Sequence, residues 1–467
     1  SGVLSFVTAP DFEVPADADA DNVYHVTVQV SDGLAADTQS MAITVADRAI
    51  GAVSVSGAAT VNAGSAYTLT LVADEDASGW TVNWGDGSVV SYTGDPGTVS
   101  HVYARPGFTF GILVAATDGQ GTVHAHPLVV PTYSGANNVM RFAPVTGDHL
   151  QTFGANGGQT YPTQAVVGPD GRLYVSEEGA DSVRRYDAST GALIDTFVPA
   201  GSGGLDQAGG LAFGPDGHLY VASYGSNQVL RYDGSSGSFL DAFIGSVDRP
   251  YGLSFGPDGR LYVSLLDSDA VQRHDASTGA LVDTVVAPGS NGLDMPWQML
   301  FGPDGHLYVG SFGGDEVQRY DIGTGAFLGA FVARGAGGLD RPGGMAFGPD
   351  GHFYVASFNT NSILRFDGGT GAYRDTYVAP GTGGLIAPSM MTFLPQQQVR
   401  VLPAANQAPV IGSDGGGASA TLSVTENTIA VTTVRAADAD GSAQPLTYGI
   451  SGGADAALFT IDAATGV

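Results

Sequence analysis

Gly168-Pro169-Asp170-Gly171-Arg172-Leu173-Tyr174-Val175 is the stretch on which the fold turns. Gly-Pro-Asp-Gly is a tight-turn sequence, because Pro presets one turn residue and Gly supplies the backbone freedom of the last. Leu-Tyr-Val then starts a strand. The turn returns at 214–217, 256–259, 302–305 and 348–351, at spacings of 46, 42, 46 and 46, each time followed by a triplet such as Phe353-Tyr354-Val355. About ten residues later comes a pattern that opens on Asp or Asn and closes on Arg, a ring and Asp. It runs Asp181 to Asp187, Asn227 to Asp233, Asp269 to Asp275, Asp315 to Asp321 and Asn361 to Asp367, with His274 as the third ring. A Gly turn and a last strand ending in Phe197, Phe243, Val285, Phe331 or Tyr377 complete each unit. Four short strands in such a repeat make one propeller blade.

The two ends of the repeat complete the count. Phe393 lies 46 residues after Phe347, and Val399-Arg400-Val401 falls where a second strand belongs. The missing half precedes the first full unit, as Asn137 to Phe142, Gly147 and Phe153. The reading is a six-bladed ring over 136–402, closed by pairing 389–402 with 137–153, which removes open sheet edges. The repeat resembles NHL-type and virginiamycin-B-lyase-like six-bladed propellers.

Composition narrows the function. The chain has 467 residues, 46 Asp+Glu against 17 Lys+Arg (all 17 arginine), a formal charge of −29 and no cysteine. Such acidity repels phosphate backbones and anionic membranes, so neither nucleic acid nor membrane insertion is expected. Absent cysteine excludes disulfides, thiolate zinc sites and cysteine nucleophiles. An acidic, cysteine-free, all-β chain fits an extracellular or bacterial cell-surface protein. It opens directly on strand-like Ser1 to Phe6, so it reads as a piece of something longer.

Residues 50–131 contain Trp84-Gly85-Asp86-Gly87, His101-Val102-Tyr103-Ala104-Arg105-Pro106-Gly107-Phe108 and Ala116-Thr117-Asp118-Gly119. This resembles a PKD module, which implies an immunoglobulin-like β-sandwich with Trp80, Trp84 and Tyr103 in or near its core. At the C-terminal end, 407–467 carry Thr425-Glu426-Asn427, Ala437-Asp438-Ala439-Asp440-Gly441 and Phe459-Thr460-Ile461-Asp462. At the other end, 1–47 carry Pro10-Asp11-Phe12-Glu13, Tyr24-His25-Val26-Thr27-Val28 and Ser31-Asp32-Gly33. The first resembles the N-terminal half of a bacterial cadherin-like repeat and the second its C-terminal half. The resemblance implies a domain split between the termini and completed head-to-tail by the next copy, either along one giant tandem chain or between separate subunits. It further implies calcium as the bound ion, one end of the completed domain gathering Asp438, Asp440 and Asp32, the other Glu426, Asp11, Glu13 and Asp47. Hard oxygen ligands from several loops suit that ion. Asp17-Ala18-Asp19-Ala20-Asp21-Asn22 lacks the glycine and twelfth-position carboxylate of an EF-hand.

Within the ring, Glu177, Glu178 and Trp297 depart from the repeat. Adjacent strand residues point to opposite faces, so the two glutamates are poorly placed to cooperate in catalysis. His218, His306 and His352 recur at one repeat position, which argues for structure. Arg185, Arg231, Arg273, Arg319 and Arg365 each precede an Asp by two residues, a spacing that shares one strand face and predicts a repeated staple, made locally or to the adjacent blade; Arg141 is the sixth arginine of this series. Tyr224, Phe312 and Phe358 follow the second strand on one face, where they either pack between blades or stack on sugars. The sequence therefore points to a non-enzymatic repeat unit of a filament or giant modular adhesin. Its propeller is displayed for a carbohydrate or surface-protein partner. The alternative is a secreted propeller enzyme of lyase or lactonase type with accessory modules.

Overall fold

The computed structural model describes residues 3–10, 12, 15–31, 34–46, 50, 53–118, 123–125, 127–135, 137–144, 146–154, 160–402, 410, 411, 413, 422, 432–437, 447–451 and 455–465. The fold is all-β, and among these residues helical structure is confined to short 3-10 turns. Six four-stranded antiparallel sheets form the propeller. Blades 1 to 5 span 162–198, 208–244, 250–286, 296–332 and 342–378, each with its strands in chain order. Their first strands pack side by side around the axis.

One device repeats at every Gly-Pro-Asp-Gly turn. Gly171, Gly217, Gly259, Gly305 and Gly351 sit at φ of 75° to 81°, the left-handed region that glycine enters without strain. The Asp of the turn accepts a hydrogen bond from the Tyr four residues on: Tyr174 to Asp170 at 3.0 Å, Tyr220 to Asp216 at 2.8 Å, Tyr262 to Asp258 at 3.0 Å, Tyr308 to Asp304 at 2.9 Å and Tyr354 to Asp350 at 2.7 Å. Each Tyr ring is buried, with its hydroxyl satisfied by the turn.

The Asp or Asn that opens the second pattern is a latch between blades. Asp181, Asn227, Asp269, Asp315 and Asn361 accept from the backbone N–H of Gln207, Arg249, Met295, Arg341 and Ala387, the residues that lead into the next blade, at 2.7 to 3.0 Å. All ten residues have positive φ. A short Asp or Asn tolerates that backbone, and the bond it makes holds the less tolerant residue there.

The arginine staple is real but has different partners. The strand pairing sets Arg185, Arg231, Arg273 and Arg365 opposite Asp195, Asp241, Asp283 and Asp375. Each pair is bidentate, with the shorter contact at 2.5 to 2.6 Å. In blade 4 the opposite residue is Gly329, and Arg319 lies 3.4 Å from Asp304 instead. The aspartates two residues after each Arg turn away. Asp187 accepts from the backbone and hydroxyls of Ser189 and Thr190, which holds its carboxyl below the usual range. Arg141 donates to the carbonyls of Ala188 and Ser189 in the neighbouring blade. His274 fills its blade as a buried ring, with Nδ1 3.0 Å from the Gly279 carbonyl.

Ring closure differs from the sequence reading. The sixth blade takes Leu128–Pro131, Val139–Phe142 and His149–Phe153 from before blade 1, and only Thr392–Phe393 from the C-terminal side. Gln397–Leu402 is not its second strand. It runs into the sandwich, parallel to Thr60–Asn62 and antiparallel to Thr109–Thr117. The cause is burial: Leu128, Val129 and Val130 already fill the place in the blade, whereas Val399 and Val401 are fully buried in the sandwich core with Trp80, Trp84, Tyr67 and Tyr103. Gln396 marks the crossing, where its Oε1 accepts from the Val114 N–H at 2.7 Å.

The sandwich has one sheet of Val53–Gly57, Ala66–Ala73 and Thr98–Val102. The facing sheet orders Thr60–Asn62, Gln397–Leu402, Thr109–Thr117, Gly79–Asn83 and Val89–Thr93. His101 stacks on Trp84 and its Nε2 lies 2.7 Å from Asp86, while the Tyr103 hydroxyl donates to the Trp84 carbonyl. The loop after Tyr103 docks on the propeller face that carries the Gly-Pro-Asp-Gly turns, here called the lower face. Arg105 donates to the Gly256 carbonyl at 2.9 Å, and Phe108 meets Phe255 edge-on.

Candidate functional site

The upper mouth of the ring, on the face away from the sandwich, is built from two repeat positions. The first is the residue that leaves the second strand of each blade: Tyr133, Glu178, Tyr224, Leu266, Phe312 and Phe358. Five are apolar or aromatic, and Glu178 alone is acidic. The second is near the start of each inner strand: Thr163, Gly209, Tyr251, Trp297, Gly343 and Ser389. The small residues leave room, and Tyr251 and Trp297 fill it. Trp297 stacks on Phe312 at 4.2 Å and lies 4.2 Å from the Tyr251 ring. Met390 is buried beneath them.

Glu178 is held inside this cluster, 7% exposed. Its Oε1 accepts from the Tyr133 hydroxyl at 2.8 Å and its Oε2 from the Tyr251 hydroxyl at 3.3 Å. Burial raises its carboxyl above the usual range, and the two phenol bonds oppose that rise. The same burial, with the carboxylate beside them, pushes both phenols up, so they remain neutral donors. At the rim, Arg249 lies over the Tyr224 ring at 4.6 Å and pairs with Asp267 at 3.0 Å. Arg341 lies over Phe312 at 5.3 Å.

Glu177 belongs elsewhere. It points into the sheet, 2% exposed, and lies 3.0 Å from Nε of Arg184. Burial pushes its carboxyl up to about 7 against the pull of Arg184. The departures from the repeat therefore separate into a pair inside blade 1 and a carboxylate at the mouth. Trp297 joins Glu178 through Tyr133 and Tyr251, two residues that sequence reasoning missed. Tyr133 occupies in the sixth blade the position of Glu178 in the first, an equivalence that appears only once Leu128–Pro131 is placed in that blade. Phe312 is buried, and Tyr224 and Phe358 are half-buried against the same cluster, so all three pack within the mouth.

The proposed calcium ligands Asp11, Glu13, Asp32, Asp47, Glu426, Asp438 and Asp440 all lie outside the described residues. Among the described residues, the carboxylates of Asp17, Asp19 and Asp21 lie within 4.8 Å of one another. Asp17 Oδ2 accepts from the Asp21 N–H, which makes this a self-closed acidic turn.

No protein-family model and no curated protein matches the chain. Solved structures do. A chain in the crystal structure of a nidogen/laminin complex is 16% identical, covers 58% of this chain and 99% of its own, and has a TM-score of 0.47. A protein of unknown function from Bacteroides caccae is 14% identical, with coverages of 57% and 98% and a TM-score of 0.45. Virginiamycin B lyase from Staphylococcus aureus is 15% identical, with coverages of 52% and 80% and a TM-score of 0.37. Among the described residues no helix is long and apolar enough to cross a membrane.

Proposed function

We propose that this chain is a non-enzymatic structural repeat of an extracellular filament or modular adhesin, joined head-to-tail through its two ends. The observation that carries the reading is the N-terminal hairpin. Val23–Ser31 pairs with Ala36–Thr44 over nine residues, yet most of both strands is exposed, Val30 at 70%. A two-stranded hairpin with water on both faces is marginal, so this one calls for a covering sheet. At the other end Ile411, Leu458 and Phe459 are also exposed. The occupant that fits both is the opposite end of a second copy, with the pattern of one cadherin-like domain cut in two. Calcium at the junction carboxylates would stiffen the completed domain. The sandwich acts as a PKD-type spacer. The propeller is displayed beside it, its aromatic mouth with Glu178 and two rim arginines offering a platform for carbohydrate or a surface protein. Glu177 is locked in the sheet and Glu178 is held by two phenols, which supports a structural reading of both glutamates over the lyase or lactonase alternative.

Sedimentation velocity over a concentration series tests the joining. The expected result is an open-ended ladder of oligomers that lengthens with concentration and is blocked by Val28→Lys with Val30→Lys. A monomer at every concentration overturns the reading.

A further inference from the structure

The chain enters and leaves its body on the sandwich. Ile50 is buried in the sandwich core, Val53–Gly57 is the first sandwich strand and Gln397–Leu402 the last, and the whole propeller is inserted between them. The way each part closes then decides how it meets tension. Gln397–Leu402 runs parallel to Thr60–Asn62. On the entry side Val53–Gly57, antiparallel to Ala66–Ala73 in the other sheet, takes the load first; once it is stripped, tension falls on Thr60–Asn62 and slides it lengthwise past the parallel Gln397–Leu402. All the bonds along the seam then share the load. They include Arg400 N–H to the Ala59 carbonyl at 3.0 Å and Ala63 N–H to the Leu402 carbonyl at 2.9 Å. The opposite edge adds Val401 N–H to the Phe108 carbonyl at 2.9 Å and Gly107 N–H to the Val401 carbonyl at 2.7 Å.

The propeller closes the other way. Leu128 lies opposite Phe393 and Val129 opposite Thr392 in an antiparallel pair, and Leu394 N–H donates to the Pro127 carbonyl at 3.0 Å. Entry and exit are therefore neighbours at the same end of one short ladder. Tension applied there opens the bonds one after another, as a zipper opens.

We infer that the sandwich is a tension clasp: force passing between successive units runs through the parallel seam of 60–62 and 397–402 and bypasses the propeller, whose own closure would open at lower force. The inference rests on the head-to-tail reading for its biological setting, and on strand pairing alone for its mechanics. It gives the insertion a purpose, because a ligand-binding ring keeps its shape while the filament is stretched. It also fixes an order of events. The propeller joins the load path only after the seam has failed.

Single-molecule force spectroscopy on the full chain tests this, tethered through Ala46→Cys and Pro403→Cys, the protein having no cysteine of its own. After the short release of Val53–Gly57 from Ala66–Ala73, the expected trace has two long events in fixed order. The first frees the sandwich, about 280 Å of chain, and the second frees the propeller, about 950 Å, at lower force. Ala63→Pro deletes a seam donor and should lower the force of the first event alone. Arg231→Ala, in blade 2, should lower only the second. Release of the propeller length first, or a first event weakened by Arg231→Ala, overturns the clasp. The fixed order in a chain that sedimentation shows to be monomeric upholds the clasp and removes only the filament; a reversed order in a chain that oligomerises removes only the clasp.

Discussion

Val401→Ala puts the strand exchange between the two domains to a thermodynamic test. Val401 is fully buried in the sandwich core, among Trp80, Trp84 and Tyr103. Removing two methyl groups loses about 1.6 kcal/mol of transfer free energy, and the cavity left behind raises the cost to about 2–3 kcal/mol. A unit of this size shifts by roughly 4–8 °C per kcal/mol, so the sandwich should melt more than about 8 °C lower. The assay is intrinsic fluorescence in a Trp297→Phe background, which leaves Trp80 and Trp84, both in the sandwich, as the reporters. Val175→Ala in blade 1 serves as the control, since Val175 is equally buried but in the propeller. An early tryptophan transition with Val401→Ala, larger than that with Val175→Ala, is expected. If the tryptophan transition stayed in place with Val401→Ala, residues 397–402 would not belong to the sandwich and the reasoning would fail.

Three further outcomes follow from the same geometry. Glu177 keeps its proton in the folded chain up to about 7, against an ordinary value of 4.5. The folded state therefore binds the extra proton, stability is full below 4.5 and falls as pH rises through 7, by about 3 kcal/mol at most, and Glu177→Gln should flatten that slope in pH-dependent melting curves. Arg105→Ala removes the donor to the Gly256 carbonyl and the guanidinium that covers Phe108 and Phe110. It should leave each domain folded while loosening one against the other, read as a larger radius of gyration by small-angle scattering; an unchanged radius counts against the docking loop. Calcium chelation should lower the melting transition of the joined ends and leave those of sandwich and propeller in place, and identical calorimetric traces with and without calcium would remove the ion from the account.

Much of this architecture is legible in the residues. Asp170 and Tyr174 stand four apart in every full blade because a turn Asp and a buried phenol must meet, so the repeat declares itself locally. The latch residues declare themselves too, since Asp and Asn are the side chains that tolerate positive φ. What stays hidden is set at long range. Val399-Arg400-Val401 alternates equally well as a blade strand or a sandwich strand, and only the competing claim of Leu128 to Val130 decides. The partner of Arg185 is Asp195, across a hairpin, and the nearer Asp187 is drawn off by its own turn. At the mouth, Glu178 and Trp297 stood out as departures from the repeat. Tyr133 and Tyr251 did not, because a tyrosine in a chain rich in buried tyrosines carries no mark of its role until the ring is closed.

The claim that two partial ends make one whole domain is tested most directly with two shortened chains, one lacking 1–47 and one lacking 407–467. Each retains a single half and should sediment alone as a monomer. Mixed in equal amounts, they should form a one-to-one heterodimer that grows no further, while the full chain under the same conditions forms a ladder. A mixture that stays monomeric, or either shortened chain assembling on its own, would contradict the account.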